Sequence, residues 1–141
     1  MVPGLKPGPM STIFSRIIAG EIPSYKVAED EKHLAFLDVR PVKKGHVLAI
    51  PKKPVDYLFD MPEQDFLALH SFARKVGIGL KAAIPCKRIG TAVVGLEVPH
   101  VHIHLIPLDR IEDISFSLPR LEFTAQEFQE IAASIQKEIQ L

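Results

Sequence analysis

Apolar and polar residues take strict turns over residues 100–105, in the order His100, Val101, His102, Ile103, His104, Leu105. Alternation with period two predicts a half-buried β-strand. Its three imidazoles share one face, and Val101, Ile103 and Leu105 point to the core. The same period, less cleanly kept, predicts strands over residues 24–29 (Tyr25, Val27), 33–39, 46–51 and 89–94. Asp30, Glu31 and Lys32 turn the first of these into the second, and Pro51 and Pro54 close the third. His46 opens that third strand on the face of Leu48 and Ile50. Elsewhere the period is 3.6. Phe14, Ile17 and Ile18 stripe a short helix over residues 11–20, with Ser11 as its cap and Gly20 past its end. Phe66, Leu69, Ala73, Val76 and Leu80 stripe a long helix that starts at Asp60-Met61-Pro62-Glu63. Gly77 and Gly79 weaken its last turn. Thr124 and Glu127 form a capping box before Phe128, Ile131, Ile135 and Ile139. Residues 107–123 read as irregular.

These elements add up to an α+β domain: a five-stranded antiparallel sheet, a long helix packed on it, and a short N-terminal and a C-terminal helix. Residues 1–10 carry Pro3, Pro7, Pro9, Gly4 and Gly8, a composition that cannot pack. They are expected to be a flexible tail, or an extension upstream of a start at Met10. Residues 11–141 are expected to form a single domain, since 141 residues suffice for one real core.

Charge narrows the partners. Lys+Arg and Asp+Glu are 17 each, so the formal net charge is zero, which argues against a nucleic-acid backbone binder. A local nucleotide site needs only local donors. The single cysteine, Cys86, cannot form an internal disulfide and fits a reducing cytoplasm. No apolar run approaches a membrane span, and no signal-peptide core is present at the N-terminus.

The candidate chemistry lies in the histidine run. Neighbours on one strand face stand about 6.5–7 Å apart, so adjacent imidazoles can share one small charged group. Three uses are open on the pattern alone: a solvated strand face, a metal site built on His100, His102 and His104, or a phosphate site in which one ring attacks and the others hold oxygens. Of the other histidines, His33 and His70 read as surface residues. His46 reads as a strand-end surface residue or a fourth member of the site, and Asp38 as a turn former before Pro41 or a ligand-binding acid.

The pattern His-φ-His-φ-His-φ-φ at residues 100–106 (φ apolar), preceded by IFSRIIAGEIPSYKVAEDEKHLAFLDVRPVKKGHVLAIPK at residues 13–52, resembles the histidine triad (HIT) family, in its Hint-like, bacterial-type branch. The resemblance spans most of residues 11–107. It implies the HIT-like fold and a hydrolase or transferase acting at the α-phosphate of purine nucleotides, on nucleoside phosphoramidates or dinucleoside polyphosphates, through a nucleotidyl-histidine. His102 would be the nucleophile, with His104, His100 and His46 stabilising charge. Asp38 would bind the ribose, and Phe14, Ile17, Phe36, Leu37 and Val39 match positions that wall the base. Phe36 and Asp38 share one strand face, Leu37 and Val39 the other, so some of these must be core. The resemblance implies a homodimer, with no metal, cofactor or nucleic acid. A nucleotide-binding module with little turnover is the alternative, and a His-based metallohydrolase a further one.

The chain departs from the family pattern in two places. The loop before the triad is shortened to residues 94–99, so that Glu97 stands where the family has a serine and Leu96 where it has a glutamine. The hydroxyl that helps the leaving group is absent, and an anionic Glu97 beside a phosphate must turn away or serve as a proton donor. The departure bears on phosphoramidate cleavage more than on nucleotide binding. Thr12 and Ser15 stand where zinc-carrying members have a Cys-x-x-Cys, so that zinc site is not expected.

Overall fold

The computed structural model describes residues 12–141; the expected tail and the expected cap Ser11 lie outside them. Five strands, β1 (Lys26–Glu29), β2 (His33–Leu37), β3 (Val47–Pro51), β4 (Arg88–Ala92) and β5 (Ile103–Leu108), pair in the order β1-β2-β3-β5-β4. Every neighbouring pair is antiparallel. Three α-helices accompany them among the described residues: α1 (Ile13–Ile18), α2 (Glu63–Ala83) and α3 (Ala125–Gln136). The α+β architecture read from the sequence is the one observed.

The strands stop short of their sequence patterns where backbone groups find other partners. β2 ends at Leu37 because the Asp38 carboxylate accepts the Arg40 N–H at 2.8 Å and turns the chain. β3 starts one residue late, since the His46 N–H closes a turn onto the Lys43 carbonyl. Gly45 makes that turn at φ +88°, a conformation L side chains rarely adopt. β5 starts at Ile103 rather than at His100. Ahead of it the His100 N–H bonds the Val98 carbonyl and the Val101 N–H bonds the Val55 carbonyl, so the chain has left the β3 ladder.

The helix ends differ in detail. Thr12 caps α1, its hydroxyl accepting the Ser15 N–H at 3.1 Å, while the Ser15 hydroxyl donates to the Thr12 carbonyl at 2.8 Å. Asp60 does not cap α2. It belongs to a short 3₁₀ turn, Leu58–Asp60, and the helix begins behind Pro62 with no side-chain cap. The Thr124–Glu127 capping box of α3 forms as read.

Two apolar clusters sandwich the sheet. Val47, Ala49, Ile103 and Leu105 face α2 and α3 and pack on Leu69, Val76 and Ile135. On the opposite face Leu34, Phe36, Leu48 and Ile50 pack on Phe14 and Ile17 of α1. Both faces are therefore covered, and β5 is buried along nearly its whole length rather than half-exposed. His33 is also buried, against expectation. Its ring stacks on Phe72 with centroids 5.0 Å apart, and Nδ1 lies 3.0 Å from the Asp30 carboxylate. His70 is exposed, as expected. No helix among the described residues is long and apolar enough to cross a membrane.

Candidate active site

The histidines of the run and His46 converge on the α1 side of the sheet. The alternation holds across 100–105: Val101, Ile103 and Leu105 join the core under α2, while the imidazoles turn the other way. The rings of His102 and His104 stand 4.9 Å apart, edge to face, as do those of His104 and His46 at 5.2 Å, tilted. None is a solvated strand residue. His46 and His100 have no exposed surface, and His102 and His104 retain 7% and 8%.

Hydrogen bonds fix which ring nitrogens carry protons. The Val42 N–H donates to His46 Nδ1 at 3.1 Å, so the His46 proton sits on Nε2. That Nε2–H donates to His104 Nδ1 at 3.0 Å, which leaves the His104 proton on its own Nε2. His102 has the opposite tautomer: Nδ1–H donates to the His100 carbonyl at 2.7 Å, leaving the Nε2 lone pair free. His100 Nε2–H donates to the Pro51 carbonyl at 2.7 Å, and His100 Nδ1 is buried without a partner. The His100 imidazole was expected to hold phosphate oxygens. Its N–H is committed to the Pro51 backbone, and its carbonyl accepts the His102 Nδ1–H.

Burial keeps His46 and His104 uncharged. It pushes His46 down to about 3 and His104 down to about 4, with the charges of neighbouring histidines and of Arg120 acting the same way. Burial lowers His100 as well, partly offset by its bond to Pro51. Asp38 is half-buried, with Oδ2 lying 3.7 Å from His46 Nε2. Burial raises its carboxyl above the ordinary value, against the opposing pull of the Arg40 N–H and the Arg120 charge.

The remaining expected site residues divide. Phe14 packs edge-on against His102 at 4.9 Å and against Phe36 at 5.7 Å, and Ile17 lies in the same cluster. Leu37 faces the other way, into the core beneath α2, where strand alternation sends it. Val39 is 58% exposed and borders a groove with Tyr25 and Gln136, apart from the histidines. Glu97 is exposed in the β4–β5 connection.

Two contributors come from the stretch read only as irregular. The Phe116 ring lies 4.5 Å from that of His104 and 6.3 Å from that of His46. Arg120 sits 5.9 Å over Phe116 and donates to the Arg40 carbonyl at 2.7 Å. β5 in fact runs to Leu108 and a 3₁₀ turn spans Ile111–Asp113, but residues 114–124, which carry both side chains, lie outside helix and strand, so no periodicity flags them.

The sequence pattern alone also allows a metal site on His100, His102 and His104. Among the described residues, the ligand-capable atoms that do converge, within 4.8 Å of one another, belong to Asp38, His46 and His104. The tautomers work against an ion there. His46 Nδ1 already accepts from Val42, so Nε2 must carry the proton, and a metal would have to take its place on an imidazolate.

Comparison with known proteins adds the family. Residues 19–111 match the model of the HIT domain. An uncharacterized HIT-like protein of Methanocaldococcus jannaschii is 41% identical over 106 residues, covering 67% of this chain and 77% of that protein. The adenosine 5'-monophosphoramidase of Schizosaccharomyces pombe is 31% identical over 133 residues, 92% of this chain and 99% of that protein. Among solved structures, a HIT-like protein from Bartonella henselae superposes with a TM-score of 0.79 at 29% identity, over 92% of this chain and 97% of that one.

Proposed function

Because the chain belongs to the HIT domain family, we propose that it is a nucleotide hydrolase or transferase that attacks the α-phosphorus of a purine nucleotide conjugate through His102. The observation that carries this reading is the 2.7 Å bond from His102 Nδ1–H to the His100 carbonyl. It holds the ring in the one neutral tautomer whose Nε2 lone pair is available for attack.

In the first step Nε2 bonds to phosphorus and the leaving group departs with the bonding pair, to be protonated. The imidazole becomes a nucleotidyl-imidazolium, and its positive Nδ1–H strengthens the bond to the His100 carbonyl. In the second step water attacks phosphorus, the P–N bond breaks with its pair returning to Nε2, and the water proton is released. His104 Nε2–H, oriented by His46 through the 3.0 Å bond, is the donor available to a phosphoryl oxygen. Asp38 offers a carboxylate for ribose hydroxyls, and Phe14, Ile17 and Phe36 offer an apolar wall. The substrates in view are nucleoside phosphoramidates and dinucleoside polyphosphates. The Schizosaccharomyces pombe relative's name supports the former.

The test is turnover of adenosine 5'-phosphoramidate, with the intermediate trapped by acid quench. Wild-type turnover and a labelled protein, both lost in His102→Ala, are expected; turnover retained by that variant removes His102 as nucleophile. A second reading, nucleotide binding with little turnover, follows from Leu96 and Glu97 standing where the family has glutamine and serine. Nucleotide binding with no turnover of any phosphoramidate or polyphosphate would favour it.

The reading includes a homodimer in the cytoplasm, where the free thiol of Cys86 stays reduced. β4 is an edge strand, and a groove of about 750 Å³ runs between it and α2, bordered by Ile78, Ile89 and Val93. An unpaired edge beside apolar surface suits antiparallel pairing with a second copy about a two-fold axis. Sedimentation of the wild type as a monomer would remove this part alone.

A further inference from the structure

The histidine cluster poses a problem of charge. A nucleotide brings at least one negative charge on its α-phosphate, and Asp38 adds another nearby. His46 and His104 are neutral in the folded protein, because burial pushes them to about 3 and about 4. Neither of these two rings supplies a cation to offset that charge.

Two arginines act on this site. Arg40 is exposed, and its charge is felt at Asp38. The charge of Arg120 is felt at Asp38, His46 and His104 alike, and its guanidinium lies over the Phe116 ring that packs on His104. Its position is built. Asp113 accepts from the Asp109 and Arg110 N–H groups and pairs with Lys43 at 3.5 Å, tying the segment after β5 to the turn before β3. Leu121 N–H bonds the Pro41 carbonyl at 2.8 Å and ties down the other end. Between the ties Phe116 lies on His104, and the guanidinium lies over Phe116. Of the five N–H donors of Arg120, one makes a hydrogen bond among the described residues, to the Arg40 carbonyl. Among the described residues no carboxylate forms an ion pair with it.

We propose that Arg120 is the phosphate anchor of this site, binding the non-bridging oxygens of the nucleotide with donors it keeps free and so selecting phosphorylated over unphosphorylated nucleosides. The inference rests on the nucleotide reading above and adds to it a binding residue from outside the triad and its flanking motifs. A planar fork held against a ring face, with several donors open, suits a phosphate better than a mobile ammonium does.

Calorimetric titration with AMP and with adenosine tests it without requiring turnover. Arg120→Gln keeps a side-chain N–H for the Arg40 carbonyl and removes the charge. It should weaken AMP on the order of 10- to 100-fold, the worth of a charge-assisted hydrogen bond, and leave adenosine within about twofold. Arg120→Lys should recover part of the loss. Equal weakening of both ligands would make Arg120 a structural brace and overturn the proposal. So would an Arg120→Gln protein that prefers AMP as strongly as the wild type does. A wild type that binds neither ligand would overturn the nucleotide reading itself, and this inference with it.

Discussion

His102 donates its Nδ1–H to the backbone carbonyl of His100, two residues away, at 2.7 Å. The bond exists because residues 100–102 have left the ladder: the last β3 partner is Ala49 opposite Ile103, and the His100 carbonyl is free to accept from a side chain. His104, inside the ladder, has the opposite tautomer, since its Nδ1 accepts from His46. Long-range ¹H–¹⁵N correlation spectra near pH 7.5 should therefore show His102 protonated on Nδ1 and His104 on Nε2. Finding His102 protonated on Nε2 would leave it without a lone pair facing a substrate.

Acid should unfold this protein through the same rings. In the unfolded chain His46 and His104 take up a proton near pH 6.5, but the folded protein resists until about 3 and about 4. Between those values the unfolded state binds more protons, so stability rises with pH and is lost as pH falls below 6.5. Each ring contributes up to about 1.4 kcal/mol per pH unit, and His100 acts with the same sign. Asp38, raised by burial, acts oppositely, its effect fading in as pH rises above 3.8. Urea titrations should show the unfolding free energy falling steadily from pH 7 to 5, with a shallower slope in His46→Gln. A flat wild-type profile over that range would contradict the buried neutral cluster.

How far the sequence could be read follows from where each contact is made. Period two and period 3.6 are local, so all five strands and three helices were legible, as was the inward turn of Val101, Ile103 and Leu105. Burial of the imidazoles was not, because the cover comes from α1 and from Phe116, distant in the chain. The burial of His33 has no local signal for the same reason: Phe72 of α2 roofs it. Alternation alone sets Leu37 on the face opposite Phe36, but only the packing of α2 shows that this face is core. Phe116 and Arg120 carry no local signal. Their placement depends on ties to Pro41, Lys43 and Arg40, which only the folded chain brings near.

Phe14 joins packing to chemistry. Its ring touches His102, His100 and Phe36, and it is buried. Phe14→Ala should cost about 3 kcal/mol, from lost transfer energy and the cavity left beside the imidazoles. It should also free the His102 ring, broadening its ring resonances and lowering turnover beyond what the loss of folded protein explains. A variant that loses less than about 1 kcal/mol would mean the α1 cluster does not hold the nucleophile.

Asp38 is placed to be read by ligand chemistry. One carboxylate oxygen accepts the Arg40 N–H at 2.8 Å, and the other lies towards His46. Asp38→Asn can keep the turn through its amide oxygen but loses the charge that strengthens bonds to two ribose hydroxyls. Adenosine and AMP should both weaken by about tenfold, roughly one charge-assisted bond, with 2'-deoxyadenosine affected less. Uniform affinities across the three ligands would separate Asp38 from the ribose.

Gly77 and Gly79 sit two residues apart in α2 and look equivalent in sequence, each a weak point for a helix. A Cβ at Gly77 would meet one atom, the Leu105 Cδ2 at 3.3 Å, the end of a flexible side chain. A Cβ at Gly79 would lie 2.5 Å from Ile139 Cγ1, 2.8 Å from Ile139 Cα and 2.9 Å from the Glu138 carbonyl oxygen, so backbone would have to move. Gly79 is therefore the close approach that lets the chain beyond α3 lie on α2. Replacing Gly by Ala in a helix interior gains up to about 1 kcal/mol of propensity, whereas overpacking costs about 1–3 kcal/mol. Gly77→Ala should be neutral or stabilising by urea midpoint, since the gain meets little resistance. Gly79→Ala should be destabilised by about 1–2 kcal/mol, because the clash outweighs the same gain. Truncation after Lys137 should remove that penalty, and a Gly79→Ala protein as stable as Gly77→Ala in the full chain would mean residues 138 and 139 do not rest on α2 in solution.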